Sequence, residues 1–310
     1  MAKYRIISID GGGIRGIIPA TILLRLNTDP ILNGFLNKAD LIAGTSTGGL
    51  LALGIANEMD PSVMQKVYID DGEKIFDDSW LDDVKDLGKL IGADYNIKNL
   101  EEVLKRIFGN IKLSSLRKKV LVTAFDLDYE SNDINKRCWK PKIFHNFEGE
   151  DSDGEMLAYK VGLYTSAAPT FFPSVDGYID GGVFASNPSM CALSQSQDIR
   201  CISSPPKLDE IVLLSLGTGI SMNYIEGDSL DWGEVQWVKP LISLMMDGVN
   251  GIADYQCNQI LKDNYHRLSP IFPTNVKIDM DDVKKISYMK NFADRLDLTP
   301  IKNWIVNKWN

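Results

Sequence analysis

Gly44-Thr45-Ser46-Thr47-Gly48 centres one hydroxyl in a pentapeptide with glycine at both ends. The chemistry open to such a pattern is nucleophilic attack. Gly-x-Ser-x-Gly is short enough to arise by chance, so its neighbours decide its weight. The apolar run Ala39 to Ala43 precedes it and Leu50 to Ala56 follows, which reads as strand, tight turn and helix. On such an elbow the glycines let the chain strain and the helix approach the strand, while the hydroxyl projects above the sheet. The helix N-terminus then faces developing negative charge. The competing reading makes Ser46 an N-cap and nothing more.

A second glycine-rich stretch, Gly11-Gly12-Gly13-Ile14-Arg15-Gly16, follows the β-rich Tyr4 to Ile9 and satisfies G-x-G-x-x-G. Dinucleotide binding needs an acidic residue at the end of the next strand, but that strand runs into Ala43-Gly44-Thr45-Ser46. Consecutive glycines can equally turn bare N–H groups toward an anion, and a tetrahedral oxyanion is one. Arg15 could support the oxyanion or a lipid phosphate, or sit in a surface ion pair. A nucleotide- or anion-binding module using Gly11 to Gly16 therefore remains the main competing class.

The third stretch, Asp180-Gly181-Gly182, joins a carboxylate to two glycines. Its interest comes from the scarcity of histidine, since only His145 and His266 are present. His266 lies in a helical-looking run, Asp263 to Arg267, with no glycine turn to mark a catalytic loop, and His145 follows a short apolar strand; both read as structural. The acidic loop Glu148 to Glu155 lacks the spacing of a calcium loop. Cys138, Cys191, Cys201 and Cys257 form no C-x-x-C pair, which indicates neither zinc nor a disulfide framework and suggests reduced, mostly buried thiols.

The elements that must position these groups alternate. Strands are expected at Tyr4–Ile9, Ala39–Ala43, Val120–Phe125 and Ile211–Leu216, with a weaker one at Lys142–His145. Helices are expected between them, including Met156–Ala168 and one starting at Asn187-Pro188. The acidic region from Pro61 to Leu116, with Asp77, Asp78, Asp82, Asp83 and Asp86 among Trp80, Leu81, Val84, Leu87 and Leu90, reads as amphipathic helices. The implied fold is three-layer α/β, a mainly parallel sheet with helices on both faces. Trp232, Trp237, Leu241, Leu244, Met245 and Met246 read first as core, with contact to the acyl pocket or a bilayer as the alternative. The terminal Trp304 and Trp309 suit a docked helix or an anchor.

A net charge of −9 over 310 residues argues against a nucleic-acid surface, which needs clustered Lys and Arg. The N-terminus does not read as a signal peptide, and no apolar run reaches spanning length. The expected location is cytoplasmic, with peripheral membrane contact open.

Together the three motifs, in this order and spacing, resemble the patatin-like phospholipases. So do Thr165 to Pro173, Asn187-Pro188 and Leu214 to Gly219. The resemblance covers about residues 4 to 220, and residues 221–310 are expected to pack on that core as a helical extension of one domain. It implies a serine–aspartate dyad, Ser46 as nucleophile and Asp180 as base, with an oxyanion hole from Gly11, Gly12 and Gly13. Gly16, Gly44, Gly48, Gly181 and Gly182 are the motif glycines, and no metal or organic cofactor is implied. Substrates would be membrane or micellar glycerolipids, cleaved at acyl esters in phospholipase A or lysophospholipase fashion; acyl transfer would use the same residues. A dyad without histidine leads one to expect a pH–rate profile lacking an imidazole limb at about pH 6 to 7, with Asp180 desolvated enough to act as a base.

Overall fold

A computed structural model describes residues 3–32, 34–76, 93–129 and 134–309. Among these residues lies one seven-stranded sheet: β1 (Tyr4–Ile9), β2 (Leu41–Thr45), β3 (Lys119–Tyr129), β4 (Cys138–His145), β5 (Tyr178–Asp180), β6 (Ile211–Leu216) and β7 (Tyr265–Leu268). The order is β4-β3-β2-β1-β6-β7, with β5 also pairing with β3. All pairings are parallel except those of β4 and β5 with β3. The fold is therefore a three-layer α/β arrangement on a mainly parallel sheet.

Alternate residues of the central strands feed two cores, because successive side chains point to opposite faces. Ile7, Ile9, Ile42, Val120, Val122 and Leu214 pack with one set of helices: α1 (Ile17–Asn27), α2 (Thr47–Ala56), α3 (Pro61–Ile75), α4 (Ile97–Phe108) and α5 (Ala158–Ser166). Beyond a short α6 (Gly182–Ala185), α7 (Ser189–Gln195) and α8 (Glu234–Leu261) cover the other face over Ile6, Leu41, Ala43, Leu121 and Leu213. Burial on both sides is why these strands read as continuous apolar runs.

Helix ends follow local chemistry. Asp60 caps α3 through its side chain, with Pro61 in the first position, and Asn96 caps α4. The helix expected at Asn187-Pro188 begins one or two residues later; the Asn187 carboxamide accepts the Ser189 N–H at 3.0 Å. The acidic stretch around Asp77 to Leu90 lies outside the described residues.

Two expectations for residues beyond 220 change, and one for the cysteines. The helical reading of Asp263–Arg267 holds only for a short 3-10 turn through Asn264: Tyr265 to Leu268 pair with β6 as an edge strand, and the ladder to a fully buried strand overrides a weak local pattern. Helix α8 carries Pro240 in its interior, and Leu241, Leu244 and Met245 on its first half are 46%, 46% and 52% exposed rather than core. The thiols are free, but Cys138 is exposed.

After α9 (Ile286–Arg295), α10 (Thr299–Lys308) leads into Trp309, which is wholly buried. Its ring meets Phe35 edge-on at 6.4 Å, its indole N–H donates to the Phe35 carbonyl at 3.0 Å, and its own carbonyl accepts from Arg5 Nε at 2.6 Å. Trp309→Ala is expected to lower unfolding free energy by about 3–5 kcal/mol in urea titrations, the range for emptying a packed aromatic site. A loss under about 1 kcal/mol would mean the terminal helix is not docked in solution.

Candidate active site

Ser46 stands between β2 and α2 with φ 54° and ψ −128°, a conformation that a non-glycine residue holds only where its surroundings dictate it. The surroundings here are backbone atoms. A Cβ on Gly44 would collide with the Gly48 carbonyl, and one on Gly48 with the Ile9 carbonyl, so α2 seats directly on the strand ends only because both are glycine. The Ser46 N–H donates to Thr165 Oγ1 at 2.7 Å, which ties the elbow to α5. The serine side chain makes no capping bond to α2 and lines a cavity instead. That is nucleophile geometry rather than N-cap geometry.

Asp180 ends β5, whose pairing with β3 sets it opposite Ala124, one residue past Thr123, the partner of Thr45. The carboxylate is buried, has the Ser46 hydroxyl near enough to stabilise its anion, and accepts the Gly182 N–H at 2.7 Å. Desolvation raises its pKa to about 6, against the pull of those two donors. Among the described residues no cation offsets the burial, which leaves the anion stabilised by those two donors alone.

The loop after β1 needs left-handed backbone at Gly12 (φ 155°) and Gly13 (φ 57°). Gly12 and Gly13 line the cavity beside Ser46. Their N–H groups donate to no protein group among the described residues. Gly11 differs: its N–H is spent on the Ser186 carbonyl at 2.9 Å and its carbonyl accepts from Thr218 Oγ1 at 2.7 Å. Of the three glycines expected to hold an oxyanion, Gly11 therefore anchors the loop and leaves the other two free to donate.

Arg15 is partly buried and folds back so that Nε lies 3.4 Å from the Gly12 carbonyl. Burial lowers its pKa against the fields of Asp247, Asp279 and Asp10. It makes no surface ion pair among the described residues and does not line the cavity, so its contact is with the loop.

Sequence reasoning missed the group under that loop. Arg267, on β7, grips Asp10 with both terminal nitrogens, Nη2 to Oδ2 at 2.6 Å and Nη1 to Oδ1 at 3.2 Å, and reaches Ser215 Oγ at 2.7 Å. Burial pushes the Asp10 carboxyl up while Arg267 pulls it down. No motif surrounds Arg267; 257 residues separate it from its partner. Met280, also unsignalled, accepts the Ile14 N–H at 2.7 Å.

The cavity, about 230 Å³, is lined on the α3–α4 side by Met64, Leu100, Leu104 and Phe108, by Phe171 and Phe172 after α5, and by Met245 and Met246 of α8. No lysine or arginine lines it among the described residues. Neither histidine reaches it: His266 stacks on Trp304 at 5.3 Å and His145 packs against Phe147.

The site thus sets an elbow serine beside a buried carboxylate and two glycine N–H groups on an apolar cavity. The Patatin-like phospholipase family matches residues 7–193, and the chain belongs to that family of lipid acyl hydrolases. A cGAMP-activated phospholipase of Pseudomonas aeruginosa is 29% identical over 293 residues, covering 92% of this chain and 83% of its own. The probable inactive patatin-3-Kuras 1 of Solanum tuberosum is 31% identical over 322 residues, covering 89% and 81%. Among solved structures, VipD from Legionella pneumophila covers 94% of this chain and 67% of its own at TM-score 0.44 and 13% identity.

The raised pKa of Asp180 also has a stability consequence. Below about pH 4 the group is protonated whether the chain is folded or not, and burial is free of charge; as pH rises through about 6 the folded state must hold a buried anion. Asp180→Asn removes that anion. The variant is expected to be more stable than wild type by up to about 3 kcal/mol at pH 8, with the difference fading by pH 4. Denaturant titrations at the two pH values check this, and equal differences at both would mean Asp180 is not desolvated.

Proposed function

We propose that the chain hydrolyses fatty-acyl esters of glycerolipids, in phospholipase A or lysophospholipase fashion, through an acyl-enzyme on Ser46. The observation that carries this reading is the buried Asp180 carboxylate, raised to about 6, interacting with the hydroxyl of a strained elbow serine. Asp180 accepts the Ser46 proton as Oγ attacks the ester carbonyl. The oxyanion is held by the Gly12 and Gly13 N–H groups, with the N-terminus of α2 adding favourable field. Collapse of the tetrahedral adduct breaks the C–O bond, and the Asp180 proton leaves with the alcohol. Water, deprotonated by the same carboxylate, then releases the fatty acid.

The absence of Lys and Arg from the cavity lining, among the described residues, speaks against phosphates as the bound group there. An acyl chain fits it better, at about 0.8 kcal/mol for each methylene buried. The exposed face of α8 extends this apolar surface outward. Leu241, Leu244 and Met245 stand on the same helix as Met246 in the cavity wall, and Met245 belongs to both. The occupant proposed for that face is the lipid surface itself, uncharged on average because the chain carries net −9.

Ser46→Ala is expected to lower turnover by more than about 10³-fold, and Asp180→Asn by about 10²–10⁴-fold. Mass spectrometry of a mixed lipid extract incubated with each protein reads the lost species and the freed acids, and acyl chains appearing on added acceptors would identify transfer instead. Loss in neither variant would remove the dyad.

The expectation of a profile without a limb near neutrality is revised, since the carboxylate itself titrates at about 6. The log of kcat/KM is expected to fall with unit slope below about pH 6, and the limb should persist in His145→Ala and His266→Ala. Its disappearance in either would assign the base to histidine.

Leu241→Glu with Leu244→Glu is expected to slow hydrolysis of vesicle lipid by about tenfold or more, given about 1.5–3 kcal/mol for each apolar side chain buried. Turnover of a short soluble ester should stay unchanged. Equal loss on both substrates would contradict surface docking.

A further inference from the structure

His145 is 3% exposed, yet neither ring nitrogen has a hydrogen-bond partner among the described residues. Nδ1 is fully enclosed without one, and Nε2 has Asp151 Oδ1 at 3.9 Å, beyond hydrogen-bonding range. A cation in front of Nε2 would give this enclosed ring a partner on the side that faces Asp151. The groups in front of the ring are metal ligands by type. Cys201 Sγ lies 3.4 Å from Asp151 Oδ1 and 4.0 Å from Asp198 Oδ2, and the ligand atoms of His145, Asp151 and Cys201 all fall within 4.8 Å of one another.

We propose that His145, Asp151 and Cys201 form a binding site for one divalent cation of the zinc class, with water completing the coordination. Tetrahedral zinc, with bonds of about 2.0–2.3 Å, spaces its ligand atoms about 3.3–3.8 Å apart. The present separations are within about an ångström of that range, so side-chain shifts suffice to close the site around a cation. The donor set of one nitrogen, one sulfur and one carboxylate oxygen suits zinc, whereas calcium and magnesium take oxygen alone.

Arg200 completes the charge balance. Its Nη2 lies 3.2 Å from Asp151 Oδ2, and Asp198 accepts from it at 2.6 Å. The Asp151 oxygen turned toward Cys201 and His145 is the other one, Oδ1, so the guanidinium orients the carboxylate without occupying the cation's place. The Asp151 carboxylate and the Cys201 thiolate balance a divalent cation, and Asp198 balances Arg200. Gly149 makes room: a Cβ there would stand 3.4 Å from Asp151 Oδ1 and 3.5 Å from Cys201 Sγ.

The site is remote from the dyad and structural in role. It joins the end of β4, the loop from 146 to 155 and the segment after α7, a segment that leads to the start of β6. Its occupant would staple these loops and leave ester chemistry alone.

The experiment uses tag-free full-length protein. Purified with zinc and dialysed against metal-free buffer, it is expected to keep about one zinc per chain, to lose thermal stability on chelation and to regain it when zinc is restored. Cobalt substitution should produce a thiolate-to-cobalt charge-transfer band. Cys201→Ser should abolish the band, and Asp151→Asn should weaken zinc binding by at least about tenfold, with turnover of a soluble ester unchanged in both. Wild-type protein that holds no zinc, or a cobalt band that survives Cys201→Ser, would overturn the proposal. Neither result bears on the hydrolase reading, which the Ser46 and Asp180 variants test separately.

Discussion

Everything at the site depends on how closely α2 meets the sheet. Gly48 touches the Ile9 carbonyl and Gly44 touches Gly48, so the chain has no room to relax between strand and helix, and Ser46 takes a positive φ. Such a residue costs of order 1–3 kcal/mol, and the structure sustains it because burial on both faces of β1 and β2 fixes the elements on either side. The same approach brings the end of β1 alongside the helix N-terminus. The glycine loop that leaves β1 therefore cannot avoid the space above the serine.

Two buried carboxylates then receive opposite treatment. Asp10 and Asp180 are both almost fully enclosed, 2% and 5% exposed, at the ends of strands in one sheet. Asp10 faces Arg267 in a two-pronged ion pair, and a buried ion pair holds only while both members are present. Asp180 faces a hydroxyl and an N–H, which stabilise its anion far less than a cation does, and its pKa rises. One carboxylate is thereby committed to shape and the other kept able to exchange a proton. Carboxylates pushed apart in this way by their surroundings are how a fold divides structural and chemical work between identical groups.

Sequence disclosed those features that rest on local chemistry. Strand, glycine turn and helix could be read around Gly11 and Ser46 because apolar runs end abruptly at glycines, and β6 could be read from six apolar or small residues in a row. What sequence concealed was set by distant partners. Tyr265-His266-Arg267-Leu268 carries no strand signal strong enough to compete with its helical neighbours, and becomes β7 because β6 offers an open edge. Arg267 acquires its meaning only from that placement. The fate of the Gly11 N–H is hidden for the same reason, since its acceptor is a backbone carbonyl at Ser186. Leu241, Leu244 and Met245 have the spacing of a core stripe, and spacing cannot say whether another element covers them. His145 and Cys201 lie 56 positions apart in sequence and lack any motif, so only folding brings them to one place.

The apolar cavity constrains how the site could choose among lipids. On the proposed reading, a lining with no cation among the described residues would favour an acyl chain over a headgroup, and methylenes are individually weak discriminators, about 0.8 kcal/mol each. Chain length would then be sensed gradually, and more steeply wherever a chain met Phe76, Phe171 or Phe172, because close-packed aromatic side chains give way only at the cost of strain. On that reading acyl preference is set by side chains such as Phe171 and Phe172 that are separate from Ser46 and Asp180, and it can be altered there without touching the dyad.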